Sequence, residues 1–264
     1  MASASAPTFD QADGLRRLFA ASRTRFVPLL SNPHVAFGGA LIERLVAAFG
    51  EMSAHVLVVD AAENAPAPSE LAYLDLAMAI EPLTAHASYL AARGLPHRHV
   101  NASGSTAGFL EALVEAAPHA GVVLVHAGAA DLARLFAQRA VRPIVLASDR
   151  PQAVTHAYAG IKLLAMRAKL ITHDLLLAAA STSPRADRIV QQLASCADMY
   201  LGAVQRDCGV IDPAAGADDE LPPALRRLAR DVLIGVAPGV PEGPVAPPLS
   251  PFLMSARPSA AIPS

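Results

Sequence analysis

Lysine is almost absent from this sequence, and that scarcity excludes a large class of proteins. Of 21 basic residues, only Lys162 and Lys169 are lysines, and the others are arginines. Neither lysine follows a glycine, so the sequence lacks the G-K-[ST] signature of a phosphate-cradling P-loop. A conventional P-loop nucleotide hydrolase is therefore disfavoured before any fold is considered.

The sequence also has little excess charge of either sign, only two cysteines and no long apolar run. The formal net charge is −2, so no strong field favours DNA or an anionic membrane. Cys196 and Cys208 match neither a disulfide framework nor a zinc spacing, and we interpret them as reduced thiols. No apolar run reaches the ~18 residues of a membrane span. Residues 1–10 lack the basic start and apolar stretch of a signal peptide, so we expect a cytoplasmic protein that binds no nucleic acid.

Apolar residues are plentiful, and their pattern predicts the fold class. Hydrophobic residues make up 53% of the chain and charged residues 17%, which excludes a disordered chain. Apolar strand-like runs alternate with helical segments, which predicts an α/β fold with a doubly wound, mostly parallel sheet. Strands are predicted at 26–30, 55–60, 97–101, 121–126, 142–147, 169–177 and 200–204. Helices are predicted at 37–49, 69–80, 84–92, 105–116, 129–139, 151–168, 183–199 and 222–234.

The chain divides into three parts. A short helical segment at 8–22 precedes the α/β region of 25–236, and the proline-rich stretch 237–264 predicts a disordered tail. In the first part, Thr8 and Gln11 have the spacing of a capping box, whereas a glycine at position 14 lowers helix propensity by ~1 kcal/mol. The N-terminal segment is therefore predicted to be a marginal amphipathic helix that becomes ordered through contact.

Residues 10–17 (DQADGLRR), 102–113 and 151–162 (PQAVTHAYAGIK) form three separate stretches that resemble motifs of one family. That family is FlhG, whose members are MinD/ParA-like regulators of flagellar number and placement. Residues 10–17 (DQADGLRR) resemble the family's D-Q-A-x-x-L-R motif. Residues 151–162 (PQAVTHAYAGIK) are similar to its E-P-x-x-x-T-D-A-Y-A-x-I-K helix, and residues 102–113 to its A-S-G-x-x-x-L segment. The likeness covers roughly residues 9–235 in the family's order. It implies a MinD-like, P-loop NTPase-like fold and a role in flagellar biosynthesis.

The departures from this family concern its nucleotide site. The deviant Walker A motif of the family, K-G-G-x-G-K-[ST], corresponds here to residues 31–39 (SNPHVAFGG), which contain no lysine. The D-x-G-G of switch II reads HAGA at 126–129, and the adenine-contacting asparagine falls near Ala178. These losses remove charge neutralisation, metal ordering and base recognition together. The resemblance then implies a pseudo-ATPase without ATP or magnesium as cofactor, with Asp60, Gly38 and Gly39 as vestigial nucleotide-binding positions.

Several residues near this expected crevice have plainer interpretations, which we favour. Asp60 can cap the loop that follows its strand, and His126 lacks a nucleophile or metal ligand at a recognisable spacing. His97 and His99 lack the further ligands that a zinc site needs. The serines at 103–105 are assigned to capping the next helix rather than to an anion-binding nest.

The N-terminal motif is where the resemblance places function. In FlhG this motif binds and activates FlhF, the flagellar GTPase of the signal-recognition type. A glutamine supplied in trans can orient an attacking water, and an arginine can pair with carboxylates or phosphate. The partner-binding residues implied are Asp10, Gln11, Ala12, Leu15 and Arg16. Flagellar transcriptional regulators and switch-complex proteins are further partners that the sequence leaves open.

Two other functions remain open from the sequence. One is an active MinD-like ATPase with an atypical nucleotide site, in which Arg25 or an arginine of a partner subunit replaces the lysine. The other is a structural scaffold without a flagellar role. Residues 225–233 carry an apolar stripe that could suit a membrane surface, but Gly235 and the acidic residues at 218–220 favour an ordinary domain helix. Membrane association is therefore not expected.

Overall fold

The protein is built around one eight-stranded sheet. The computed structural model describes residues 24–180, 182–216 and 219–234. The predictions for residues 8–22 and 237–264 lie outside these described residues, as do the proposed partner-binding positions 10–16. The strands are β1 (Arg25–Leu30), β2 (Val56–Asp60), β3 (Glu81–Thr84), β4 (Ala87–Ala91), β5 (Val122–Ala127), β6 (Ile144–Ser148), β7 (Thr172–Ala178) and β8 (Val204–Ile211).

The strand order is β3-β4-β2-β5-β1-β6-β7-β8, and only β3 at one edge is antiparallel to its neighbour. The central strands are nearly continuous apolar runs, as in VLVVD of β2 and IVLAS of β6. Such runs are buried on both faces, which favours a parallel sheet covered by helices on both sides. The predicted doubly wound, mostly parallel fold is confirmed.

The helices are α1 (Gly38–Gly50), α2 (Gly108–Ala116), α3 (Ala129–Leu135), α4 (Pro151–Ala168), α5 (Ala186–Leu201) and α6 (Pro223–Ile234). They cover the two faces of the sheet unequally. Four of them, α2 to α5, contribute mainly to one apolar cluster, whereas α1 and α6 contribute to a second cluster on the opposite face. Leu225 and Leu228 of α6 are fully buried, so the stripe considered for a membrane surface packs inside the domain instead.

The segment between β2 and α2 differs from the prediction. The helix expected at 69–80 is two short 3₁₀ turns, Glu70–Tyr73 and Ala77–Ala79, and the helix expected at 84–92 is the strand β4. β4 pairs in parallel with β2 from Ala87 opposite Val56 to Ala91 opposite Asp60. Five residues are too few to separate a helical from a strand period, and pairing with a long-range partner decided the outcome.

Two predicted strands are also wrong. The strand expected at 97–101 is a 3₁₀ turn, Leu95–His99, which has proline at its start. The strand expected at 200–204 is partly helical, because α5 continues to Leu201 and ends at Gly202, whose φ of 60° is left-handed. Glycine adopts that conformation without a steric penalty, so it terminates the helix. The last strand begins only at Val204, and it is longer than predicted.

Candidate functional site

The candidate site lies at the carboxyl edge of the sheet, where the loop after β1 begins. β1 lies between β5 and β6, and the helix after β1 covers one face, whereas the helices after β5 and β6 cover the other. Parallel sheets bind ligands at such switch points, in the crevice beyond the carboxyl ends of the strands. Residues 31–37 form the loop from β1 to α1 at this crevice.

A buried asparagine holds this loop in place. The side chain of Asn32 is 7% exposed, and its Nδ2 donates to the carbonyl oxygens of Leu146 at 2.9 Å and Ala153 at 2.8 Å. Its Oδ1 accepts from the amide of His34 at 3.1 Å. One amide group therefore ties the loop to the end of β6 and to the first turn of α4, and the loop shape depends on it.

Imidazole and guanidinium groups occupy the space beside the loop. The rings of His34 and His156 lie edge to face with centroids 5.6 Å apart. The pKa of His156 is lowered mainly by burial and also by the neighbouring His34, and this favours a neutral ring. A pocket of about 420 Å³ opens between the loop and Arg150 and Gln152. Arg150 follows β6, and neither it nor this histidine pair was predicted from the sequence.

Asp60 and His126 meet at the same edge. Asp60 is the last residue of β2 and His126 the last but one of β5, and the two stand opposite each other in the β2–β5 register. The Nδ1 of His126 lies 2.9 Å from Oδ1 of Asp60, and the hydroxyl of Tyr89 donates to Oδ2 at 3.4 Å. Burial, together with the Asp60 carboxylate, raises the pKa of Tyr89 to about 12. His126 is therefore not isolated, because it has a carboxylate partner that lies 66 residues away in sequence.

Asp60 also has the structural role that we favoured for it. Its Oδ1 accepts from the backbone amide of Ala62 at 3.3 Å, which caps the loop after β2. Its second oxygen faces Tyr89 and its first is shared with His126. All its described contacts hold neighbouring protein groups together.

Gly38 and Gly39 begin α1 directly after the loop. Phe37, the N-cap residue, has a left-handed φ of 57°, makes no side-chain cap and is 74% exposed. A Cβ atom on either glycine would meet nothing within 4 Å. Packing therefore does not require glycine at these two positions.

Arg25 lies at the amino end of β1, whereas this loop follows the carboxyl end of the same strand. It is the first residue of β1, and the loop follows the last, Leu30. At about 3.3 Å per residue, the strand separates the two ends by about 17 Å. This placement argues against Arg25 as the residue that replaces the missing lysine.

The remaining predicted positions have structural partners. His97 lies 3.4 Å from Asp131, and His99 packs against Phe109 with ring centroids 5.3 Å apart. Neither Ser103 nor Ser105 caps α2, which begins later than predicted, although the Oγ of Ser105 accepts from the amide of residue 107 at 3.2 Å. Within the described ranges, no three His, Cys, Asp or Glu residues are grouped to hold a metal ion.

Both cysteines are free thiols, exposed at Cys196 and half-buried at Cys208. Burial and nearby carboxylates raise the pKa of Cys208 to about 11. Among the helices that the structure describes, none has the length and apolar character needed to cross a membrane.

These features define a class of fold, a doubly wound parallel sheet with its candidate site after the central strand β1. No protein-family model matches the chain, and no curated protein matches it either. Several solved structures do match the chain. The chain is similar to the MinD cell division protein of Aquifex aeolicus at 11% identity and a TM-score of 0.54, covering 81% of this chain and 98% of that one.

Two further solved structures have the same architecture. A ParA family ATPase from Chlorobium tepidum TLS matches at 14% identity and a TM-score of 0.51, covering 79% of this chain and 98% of that one. Cobyrinic acid a,c-diamide synthase from Mycobacterium smegmatis matches at 14% identity and a TM-score of 0.54, covering 80% of this chain and 94% of that one. The chain therefore has the MinD/ParA-like fold, and at these identities the likeness is one of fold alone.

Proposed function

We propose that this protein is an FlhG-like regulator of flagellar number and placement that has lost the nucleotide cycle. It acts by binding and stimulating an FlhF-type GTPase through residues 10–16, and the α/β domain presents that segment. We place it in the cytoplasm, without nucleic acid, metal or nucleotide as a required partner. The proposal rests on the motif at 10–17 combined with a fold of the MinD/ParA type.

The helix α4 supports the proposal from within the described domain. The stretch PQAVTHAYAGIK, which resembles an FlhG motif, forms the first two thirds of α4. Its buried members, among them Ala157, Gly160 and Ile161, pack toward the sheet, whereas Lys162 is exposed. The motif thus has a structural part that shapes the helix–sheet contact and an exposed part that remains free for recognition.

The single observation that carries the loss of ATP turnover is the loop at 31–37. Phosphoryl transfer needs a cation on the β- and γ-phosphates and a metal held by acidic or hydroxyl groups. This loop supplies no lysine, its Asn32 amide is committed to two backbone carbonyls, and Asp60 is engaged by His126 and Tyr89. The groups that remain suit a stable protein core better than a metal–phosphate complex.

GTPase stimulation tests the positive half of the proposal. A peptide of residues 1–24 is expected to stimulate GTP hydrolysis by an FlhF-type GTPase. Gln11→Ala should remove most of the stimulation while sparing binding, because the amide orients the attacking water. Leu15→Asp should abolish binding, because it places an unpaired charge in an apolar contact.

A matched control is Ser22→Ala, which lies outside the motif and should leave both binding and stimulation unchanged. In cells, the Gln11 and Leu15 variants should alter flagellar number or placement at normal protein levels. Unchanged GTPase stimulation and unchanged flagellation after deletion of residues 1–23 would contradict the functional assignment.

A second candidate function is an ATPase with an atypical site, and Arg150 is the observation in its favour. Its guanidinium lines the pocket beside the loop, on the edge of the sheet where phosphate would bind. Arginine provides charge but lacks the compact reach of lysine. Calorimetric titration with ATP and magnesium separates the two candidates, since micromolar binding that Arg150→Ala removes would support the ATPase.

A further inference from the structure

A second cavity lies at the amino edge of the sheet, opposite the candidate site. Its volume is about 750 Å³, and it opens between the starts of β1, β6 and β7 and the end of α6. Nothing in the proposed nucleotide-site or GTPase chemistry accounts for it. Its lining combines arginines with apolar side chains, and apolar walls with a few polar groups are typical of ligand-binding clefts.

The arginines of this cavity fall into two groups. Arg142 lies 2.7 Å from the buried carboxylate of Asp174, and Arg139 stacks over the ring of Phe26 at 5.9 Å. Arg25 and Arg206 are both exposed, and neither side chain pairs with a carboxylate among residues 24–180, 182–216 and 219–234. Two cations therefore face the cavity with their donors available.

The apolar part of the wall points to a protein segment rather than a simple anion. Phe26, Val141, Val232 and Ile234 line the same cavity as the two available arginines. Ile234 is 69% exposed at the end of α6. A small anion would use the guanidinium groups but leave these side chains in water, whereas an amphipathic segment would cover both.

The cavity lies where the described part of the chain begins. Thr24 lines it, so residues 1–23 are joined to the domain at its rim. The eleven residue steps from Asp13 to Thr24 can extend by about 36 Å or fold back directly onto the rim. The segment carries apolar Leu15, Leu18 and Phe19 at helical spacing, and Asp10 and Asp13 precede them.

We propose that residues 8–22 dock into this cavity in cis, with Asp10 and Asp13 facing Arg25 and Arg206. Asp231 on the same wall offers a partner to one of the segment's own arginines. Residues 235–264 follow Ile234 on the same wall, but they carry a single carboxylate, Glu242, whereas residues 8–22 carry one for each of the two available arginines, so the pairing of charges favours the N-terminal segment. If the proposed function holds, docking in cis and binding of the GTPase compete for the same residues.

Hydrogen–deuterium exchange of the full chain tests the docking without any GTPase. Amides of residues 8–22 should exchange slowly in the native chain and about tenfold faster in the Arg25→Glu/Arg206→Glu variant. The matched control is Arg93→Glu/Arg188→Glu, which reverses two exposed arginines outside the cavity and should change nothing. Fast exchange in the native chain, or slow exchange that the cavity variant does not change, overturns the proposal.

Disulfide trapping adds a positional measurement. In a Cys196→Ser chain, Leu15→Cys with Val232→Cys should cross-link intramolecularly, whereas Leu15→Cys with Met78→Cys on the distant sheet edge should not. If residues 235–264, instead of 8–22, lose protection in the cavity variant, the tail is the occupant and the proposal is wrong.

GTPase stimulation then separates this proposal from the proposed function. The Arg25→Glu/Arg206→Glu chain should stimulate an FlhF-type GTPase more strongly than the native chain, approaching the free peptide 1–24. If exchange and trapping show docking but neither the peptide nor any chain stimulates the GTPase, docking stands and the proposed function fails. Equal stimulation by the native chain and the variant, with an active peptide, contradicts the competition.

Discussion

At the scale of single residues, His173 makes the stability of the fold depend on pH, because its ring is buried in the core. It lies in β7, is 1% exposed, and neither ring nitrogen has a hydrogen-bond partner among the described residues. Burial lowers the pKa of His173 from its usual 6.5 to about 4. Because the folded pKa is depressed, its stabilising effect is fully present above pH 6.5 and is lost as the pH falls toward 4.

We therefore expect His173→Leu to reduce the loss of stability between pH 7 and pH 5. Urea unfolding at both pH values measures the difference in the free energy of unfolding. His119→Asn, an exposed histidine on the surface, is the control and should keep the native pH dependence. An identical pH dependence in the His173→Leu and native chains would contradict the burial of a neutral ring.

Asn32 carries a different prediction, because its amide satisfies backbone carbonyls. Asn32→Ala removes the two hydrogen bonds that its buried side-chain amide donates to the Leu146 and Ala153 oxygens. The loss of two buried hydrogen bonds should lower the free energy of unfolding by about 2 kcal/mol. Urea unfolding at pH 7 measures this, with the exposed Asn64→Ala as the control. Equal stability of the two variants would mean that the loop does not depend on this amide.

At the scale of elements, α4 packs so closely on β1 that Gly160 has no space for a side chain. A Cβ atom at Gly160 would collide with Cδ2 of Leu30, whose side chain is fully buried. In Gly160→Ala, the higher helix propensity of alanine should stabilise the fold by about 1 kcal/mol, but the overpacked contact should destabilise it by about 1–3 kcal/mol. We expect Gly160→Ala to be net destabilising in urea unfolding.

The matched control is Gly39→Ala in α1, where the added methyl group meets nothing within 4 Å and should be tolerated. Leu30→Val removes the colliding end of the side chain, so the two substitutions should couple. A double-mutant cycle measures this coupling, and simple additivity would show that the two side chains do not compete for space.

The elements that could be predicted are those whose signal is local. β2 and β6 are apolar runs, and α4 begins at Pro151, where the ring suits a first helical turn. β4 could not be predicted, because its five residues become a strand only by pairing with β2. The contact of Asp60 with His126 could not be predicted either, because it requires β5 to lie next to β2.

At the scale of the whole molecule, the two ends of the sheet carry different chemistry. The carboxyl edge has a loop without lysine, a histidine pair and an aspartate held by its neighbours. The amino edge has two available arginines beside the point where residue 24 begins the described domain. Regulation by docking at the amino edge, as we propose it, would not require a nucleotide at the carboxyl edge.

The last prediction follows from this asymmetry, and it concerns ATP. A ligand that binds only the folded state with a Kd of about 10 μM would stabilise that state by about 2.7 kcal/mol at a ligand concentration of about 1 mM. Without a lysine in the loop, and with Arg25 at the far edge, we expect ATP and magnesium to change neither the midpoint of thermal unfolding nor the mass measured by light scattering. A MinD protein in the same assay is the positive control. A rise in the unfolding midpoint that Arg150→Ala abolishes, or an ATP-driven doubling of mass, would show that the crevice binds nucleotide and that the loop uses another cation in place of lysine.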